Sequence, residues 1–277
     1  MTVVDEILLQ QVAKACLAAG RVVAEVFSGF DHKDIALKGD NSPVTSADLR
    51  AHKILVDALS DLTNWPIISE EAAIPPHTER RSWQHYWLID PLDGTQEFID
   101  GGAEFTVNVA LIEKGKPRMG VVYAPMLDLL YSGLHNFGAW KSHANRTHSI
   151  STRKLSPRVA AGLPIELVCS RRHGTAEIAP LVESLERALG LVVTKSVGSS
   201  LKFCLVAEGE ADLYPRLAPT HEWDSAAAQS IVEAAGGAVV TKDFFALQYN
   251  RKESLLNDNF FVLGDIGYNW KALLSTS

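Results

Sequence analysis

The chain has 277 residues, 47% hydrophobic and 21% charged, with a net charge of -7. That balance describes a folded globular chain and excludes disorder and collagen-like repeats. The acidic excess excludes a general binder of nucleic-acid polymers, which would carry a basic surplus.

Along the chain, Val4–Phe27 places Leu8, Val12, Ala15, Ala19, Val22, Val23 and Val26 at steps of three and four, which predicts a long amphipathic helix. Lys38-Gly39-Asp40-Asn41-Ser42-Pro43 is a turn-forming run. A second helix is expected from Thr45 or Ser46, with Asp48 in its first turn and Ala47, Ala51, Ile54, Leu55 and Ala58 on its apolar face. Strand-length apolar runs follow at Pro66–Ser69, Tyr86–Ile89, Phe105–Ile112, Arg118–Tyr123 and Leu129–Leu134. Glu113-Lys114-Gly115-Lys116 reads as a hairpin connection.

The second half changes rhythm. Strands are expected at Glu166–Cys169, Leu191–Thr194, Ala211–Tyr214 and Ala238–Thr241. Helices are expected at Ala176–Leu189, Ser200–Glu208 and Asp224–Ala235. Such alternation predicts an α/β layer. The polar, basic stretch His143–Arg158 marks a boundary, with His143 and His148 as surface residues. The expected organisation is an α+β part with antiparallel sheet over 1–150 and an α/β part over 151–277. Cys16, Cys169 and Cys204 are widely spaced and include no C-x-x-C pair, so three buried thiols in a reducing cytoplasm are expected. Met1–Glu6 lacks the basic cluster of a secretory leader. The apolar stretch Val121–Leu130 is broken by Pro125 and Asp128 and falls short of the ~18 residues of a span, so no integral membrane contact is expected.

The strongest chemical signal is Trp87-Leu88-Ile89-Asp90-Pro91-Leu92-Asp93-Gly94-Thr95. An apolar strand runs into a carboxylate, a rigid turn and a second carboxylate. Pro91 fixes φ, and Gly94 permits a tight backbone turn. Asp90 and Asp93 can converge on one hard cation, with the Leu92 carbonyl adding an oxygen. A short helix from Thr95 toward Ile99 would offer free N–H groups to a phosphate. Taken alone, the two acids are equally readable as turn or helix caps. The spacing excludes an EF-hand, because Leu92 falls where an oxygen side chain is needed. Ile67-Ile68-Ser69-Glu70-Glu71, Glu222-Trp223-Asp224 and Asn41–Asp48 are further acidic motifs, each with a plain loop or cap reading beside the metal one.

The order Asp48, Glu70-Glu71, Asp90–Thr95, then Trp223-Asp224 with eleven residues before Gly236-Gly237 resembles the lithium-sensitive, magnesium-dependent phosphatase superfamily. Inositol monophosphatases and bisphosphate nucleotidases belong to it. The stretches Asp40–Asp48, Tyr86–Ile99, Glu104–Pro125 and Gly198–Arg216 are more similar to its bacterial 3′(2′),5′-bisphosphate nucleotidases. The resemblance implies a layered α+β and α/β sandwich with alternating helix and sheet layers. It implies two or more magnesium ions per site. Asp90 would bridge two of them, Glu70 and the Leu92 carbonyl would complete one site, and Asp93 and Asp224 the other. Glu71 would stand behind the ligands. Asp48 and Thr95 would pair and, with Glu70, orient the attacking water.

Ser170, His173, Gly198 and Lys202 would line the nucleotide site, with Glu70, Gly94, Thr95 and Asp224 also facing substrate. The helix start at Gly198–Lys202 suits a second anion, the 5′-phosphate. The implied reaction is hydrolysis of the 3′-phosphate of adenosine 3′,5′-bisphosphate to AMP and phosphate, in sulfate assimilation. Its partner is a small-molecule nucleotide bisphosphate. Some bacterial relatives sit peripherally on the cytoplasmic face of the inner membrane. An inositol or sugar monophosphatase is the rival within the superfamily. A catalytically silent nucleotide-binding regulator is the rival outside catalysis, and the intact acidic set argues against it.

Overall fold

Asp5 caps the first helix, α1 (Glu6–Ser28), by accepting the Leu8 N–H at 2.9 Å. The computed structural model describes residues 3–30, 35–37, 43–171 and 175–274. The turn-forming run up to Ser42 therefore lies outside the described residues, as does His173. A small pair, β1 (Ala36–Leu37) and β2 (Pro43–Val44), leads to α2 (Ser46–Leu62). Then come β3 (Ile67–Ser69), α3 (His77–Arg80), β4 (His85–Asp93), α4 (Thr95–Ile99), β5 (Thr106–Glu113), β6 (Lys116–Ala124), β7 (Leu129–Leu134), β8 (Gly138–His143) and β9 (Arg146–Ile150). The rest of the chain forms α5 (Leu155–Ala160), β10 (Ile165–Cys169), α6 (Thr175–Leu189), β11 (Val192–Ser196), α7 (Leu201–Ala207), β12 (Leu213–Arg216), α8 (Glu222–Ala234), β13 (Ala238–Thr241), β14 (Phe260–Leu263) and α9 (Trp270–Leu274).

Strands β3 to β9 form one sheet in chain order, antiparallel except for the β3–β4 pair. The second sheet has the order β11-β10-β12-β14-β13, with β10 parallel to β11 and β12. The layers run α1/α2, first sheet, α7/α8, second sheet, α5/α6/α9. Side-chain alternation explains why the central strands are apolar throughout. Trp87 and Ile89 of β4 pack under α1 and α2, while Tyr86 and Leu88 face α8. On β5, Val107, Val109 and Leu111 alternate with Ala110 and Ile112 in the same way.

Three features depart from the sequence expectation. The β8–β9 hairpin, α3, α5, β14 and α9 were not expected. β9 is an exposed polar edge without apolar alternation, and the others are short. The predicted turn at Pro91 is instead the continuation of β4 to Asp93, with a register shift between Asp90 and Asp93. The three cysteines, by contrast, are free and buried as expected. Finally, α1 is long and apolar enough to cross a membrane by length and composition, contrary to the expectation that no stretch qualifies. In the fold its Leu8, Val12, Ala15, Ala19 and Val23 are buried against α2 and the first sheet, and Glu6, Lys14, Arg21 and Glu25 face outward.

Helix α8 lies directly on the first sheet. An alanine Cβ at Gly120 of β6 would sit 2.0 Å from the Ala227 carbonyl oxygen, and one at Gly133 of β7 would sit 2.6 Å from the Ile231 Cα. Both obstacles are helix backbone, which cannot swing aside. Gly120→Ala is expected to destabilise the protein by roughly 3 kcal/mol or more, read as a lower urea midpoint at unchanged slope. Retention of the wild-type midpoint would show that the helix can ride higher without loss.

Candidate active site

Two helix starts and two strand ends supply the acidic side chains, Glu70 standing directly after β3. Thr45 and Asp48 close a capping box at the start of α2, with Asp48 Oδ2 accepting the Thr45 N–H at 2.8 Å and the Thr45 hydroxyl at 2.7 Å. Asp224 occupies the same third position of α8, where its Oδ2 accepts the His221 N–H at 2.8 Å. The cap of α8 is therefore His221, and Asp224 reaches back to its backbone. Glu222, at the head of the same helix, holds the Asn250 N–H with both carboxylate oxygens at 2.9 Å, and the buried Arg80 donates to Asn250 Oδ1. This buried network fixes the end of the helix that carries Asp224.

Asp90 and Asp93 come from β4. Residues three apart on a regular strand point to opposite faces. Here Asp90 pairs with Asn108 and Asp93 with Thr106, so three steps on β4 oppose two on β5. The extra residue is a bulge that re-aims the strand, as bulges do beside sites. Gly94 follows at φ +93, a left-handed conformation that glycine takes without steric cost, and α4 begins after it.

Oxygen atoms of Glu70, Asp90 and Asp224 lie within 4.8 Å of one another. Asp90 is 1% exposed, and its Oδ2 has no hydrogen-bond partner. Its other oxygen accepts the Leu92 N–H at 3.0 Å. Burial, then the charges of Glu70, Asp93 and Asp224, hold the Asp90 carboxyl well above the usual carboxylate range. Burial followed by Asp93 and Glu70 does the same to Asp224. Clustered carboxylates with an orphaned buried oxygen are the donor set of a hard divalent cation, and the residues fit such an ion.

Asp93 stands beside this trio. Its Oδ2 accepts from the Ser200 hydroxyl at 2.8 Å and, at 3.4 Å each, from Thr106 Oγ1 and Asn108 Nδ2. The Thr95 hydroxyl lies 3.2 Å from the Leu92 carbonyl and 3.4 Å from Asp48 Oδ1, so Asp48 and Thr95 do meet. Burial raises the Asp48 carboxyl despite its bonds from Thr45.

These groups open on a cleft of about 490 Å³. Its lining includes the acidic residues Glu70, Asp93, Glu97 and Asp224, with Gly94 and Thr95, and also Ser170, Ser199, Lys202, Tyr214 and Arg216. Lys202 is 7% exposed, and burial pushes its ammonium down to about 8. Two carbonyls of its own loop hold it, Val197 at 3.3 Å and Ser199 at 2.5 Å. Gly198 precedes the cleft-lining Ser199. Its N–H donates to Glu104 Oε2 at 2.7 Å, and a Cβ there would meet the Glu104 carbonyl at 2.6 Å, so it packs the loop down. Glu104 also holds Arg171 at 2.8 Å.

Sequence reasoning missed Asn108, Ser200 and Arg216. Asn108 is the one polar side chain inside the apolar run Val107–Ile112, and a buried amide in such a run is a signal. Arg216 is buried at the end of β12 and donates to the carbonyls of Ala218 and Pro219.

A model of the Inositol monophosphatase family matches residues 4–257. The 3′(2′),5′-bisphosphate nucleotidase CysQ of Escherichia coli strain K12 is 45% identical over 257 residues, covering 92% of this chain and 99% of that protein. The protein of the same name from Haemophilus influenzae is 35% identical and covers 99% of this chain and 98% of its own. The crystal structure of CysQ from Bacteroides thetaiotaomicron, described as a bacterial member of the inositol monophosphatase family, superposes with a TM-score of 0.80 at 37% identity, over 92% of this chain and 96% of that one. The layered fold, the carboxylate cluster and these matches agree: the chain belongs to the inositol monophosphatase family.

Proposed function

We propose that the chain is a magnesium-dependent phosphatase that removes the 3′-phosphate of adenosine 3′,5′-bisphosphate, giving AMP and phosphate, in sulfur metabolism in the cytoplasm. The observation that carries this reading is a single cleft lined both by the carboxylates Glu70, Asp93 and Asp224 and by the buried cations Lys202 and Arg216. A metal-binding cluster can take one phosphate and the two cations a second, which suits a bisphosphate substrate. An inositol monophosphate offers only one.

The family is metal-dependent, and magnesium, two or more ions, is our choice of metal. Glu70, Asp90, Asp93, Asp224 and the Leu92 carbonyl would hold it. Bound magnesium supplies the positive charge that offsets the transferred phosphoryl oxygens and acidifies water. The residues do the rest. Glu70 and the Asp48–Thr95 pair orient the attacking water. Asp48, with its carboxyl raised by burial, is suited to take the water's proton. Ser170, with His173 beyond the described residues, would border the nucleotide. In this division of labour the 1–150 part provides most of the metal ligands, and the 151–277 part provides Asp224 and the nucleotide side. A location on the cytoplasmic face of the inner membrane is a finer form of the same proposal.

The test is a phosphate-release panel over adenosine 3′,5′-bisphosphate, inositol monophosphate and sugar phosphates, each with magnesium and with a chelator. The bisphosphate is expected to turn over fastest, and chelation to abolish release from every substrate. Faster release from inositol monophosphate would turn the assignment to the monophosphatase branch. No release from any substrate would favour a silent nucleotide-binding protein.

A further inference from the structure

Ser200 stands at the N-cap of α7, where a serine hydroxyl ordinarily accepts an N–H of the first helical turn. Here it makes no such bond to its own helix. The residue is 2% exposed, and its Oγ lies 2.8 Å from Asp93 Oδ2 and 2.7 Å from the Asp224 carbonyl oxygen. Asn108 Nδ2 donates to the same Oγ at 2.9 Å. The hydroxyl has one proton and two acceptors. The carboxylate is the stronger acceptor, because hydrogen bonds to a charged oxygen are roughly twice as strong as neutral ones. The cap position has thus been turned away from the helix and toward the Asp93 carboxylate.

From this geometry we infer that Ser200 is a positioning residue for Asp93. This rests on the metal-dependent reading above. The donors from Ser200, Thr106 and Asn108 all reach Asp93 Oδ2, and none of these bonds uses Oδ1. The carboxylate is thereby held in one orientation before any cation arrives. The same hydroxyl touches the backbone of Asp224, so ligands from β4 and α8 are referenced to a single side chain from a third element. Ser200 is buried behind the cleft and is not among its lining residues. Its contribution is to cation affinity.

Manganese titration of the substrate-free protein by calorimetry, well below the melting temperature, tests the inference. Partners that orient metal ligands typically contribute roughly 10- to 100-fold in metal affinity. Ser200→Ala is expected to weaken manganese binding by that factor, and Ser200→Thr, which keeps the hydroxyl, is expected to return within a few-fold of wild type. A merely structural role would lower the melting temperature and leave the affinity of the folded protein unchanged. If wild type binds manganese and Ser200→Ala binds it equally well, this inference is overturned while the metal-dependent reading stands. Equal impairment of Ser200→Thr and Ser200→Ala also overturns it. A wild-type protein that binds no divalent cation overturns both. Should Ser200→Ala not fold, Ser200→Gly carries the test, because it also removes the hydroxyl and glycine is tolerated at a helix N-cap. Weakened manganese binding is then expected, and wild-type affinity overturns the inference.

Discussion

Asp90→Asn is expected to lower kcat by at least ~10³-fold at saturating substrate, equivalent to about 4 kcal/mol of transition-state stabilisation. The substitution keeps the volume and removes one charge from the centre of the cluster. Asp90 is the member whose oxygen is buried without a partner, and Glu70 and Asp224 both lie within 4.8 Å of it. A second, opposite signature accompanies the loss. Without a cation the four acids repel one another, and burial strengthens that repulsion. The metal-free Asp90→Asn protein should therefore melt higher than metal-free wild type, while gaining less from added magnesium. Steady-state kinetics and a thermal melt with and without magnesium check both. Near-normal kcat at ordinary magnesium would remove Asp90 from the metal site.

Lys202→Ala is expected to lower kcat/KM for adenosine 3′,5′-bisphosphate by roughly 10- to 150-fold, the worth of a charge-assisted contact of roughly 1.5–3 kcal/mol. The loss should fall on KM more than on kcat, because the contact lies away from the reacting phosphate. Two protons of the ammonium are committed to the Val197 and Ser199 carbonyls, which aim the side chain along the wall of the cleft. A 3′-monophosphate, lacking the second phosphate, should barely respond. If both substrates lose equally, Lys202 acts only by stapling its loop, and the anion role is wrong. The pH profile gives an independent reading. Burial pushes the ammonium down to about 8, so its charge is present below that pH and lost as pH rises through it. In wild type, kcat/KM for the bisphosphate should fall above roughly pH 8, since this ratio reports groups of the free enzyme. That limb should be absent in Lys202→Ala.

Both helix starts that carry acids were legible locally. Thr45 three residues before Asp48 is a capping-box spacing, and the Ala-rich run after Asp224 is a helix that can approach a sheet closely. The run Trp87–Ile89 announced a buried strand. What followed it was misread, because Pro91 suggests a turn. The strand instead continues through a bulge, since β5 offers Asn108 and Thr106 as partners across the gap. Polar hairpins and short late elements left no periodic trace, so β8–β9, β14 and α9 went unseen. The packing of Gly198 on Glu104 is a contact between distant segments that no local pattern announces.

The sequence by itself determined the class of chemistry: acidic residues in strand-end and helix-start motifs, in an order that resembles one metal-dependent phosphatase family. Residue type and local spacing carry that information, because capping, turn formation and hard-cation affinity act over a few residues. Only the tertiary structure decided which acids meet. Glu70, Asp90 and Asp224 come from separate elements, and their distance depends on how closely α8 approaches the first sheet. Gly120 and Gly133 allow that approach by having no side chain where the helix backbone passes. It also decided that Ser200 turns from its helix to Asp93, a choice between two hydrogen-bond acceptors that no local pattern encodes.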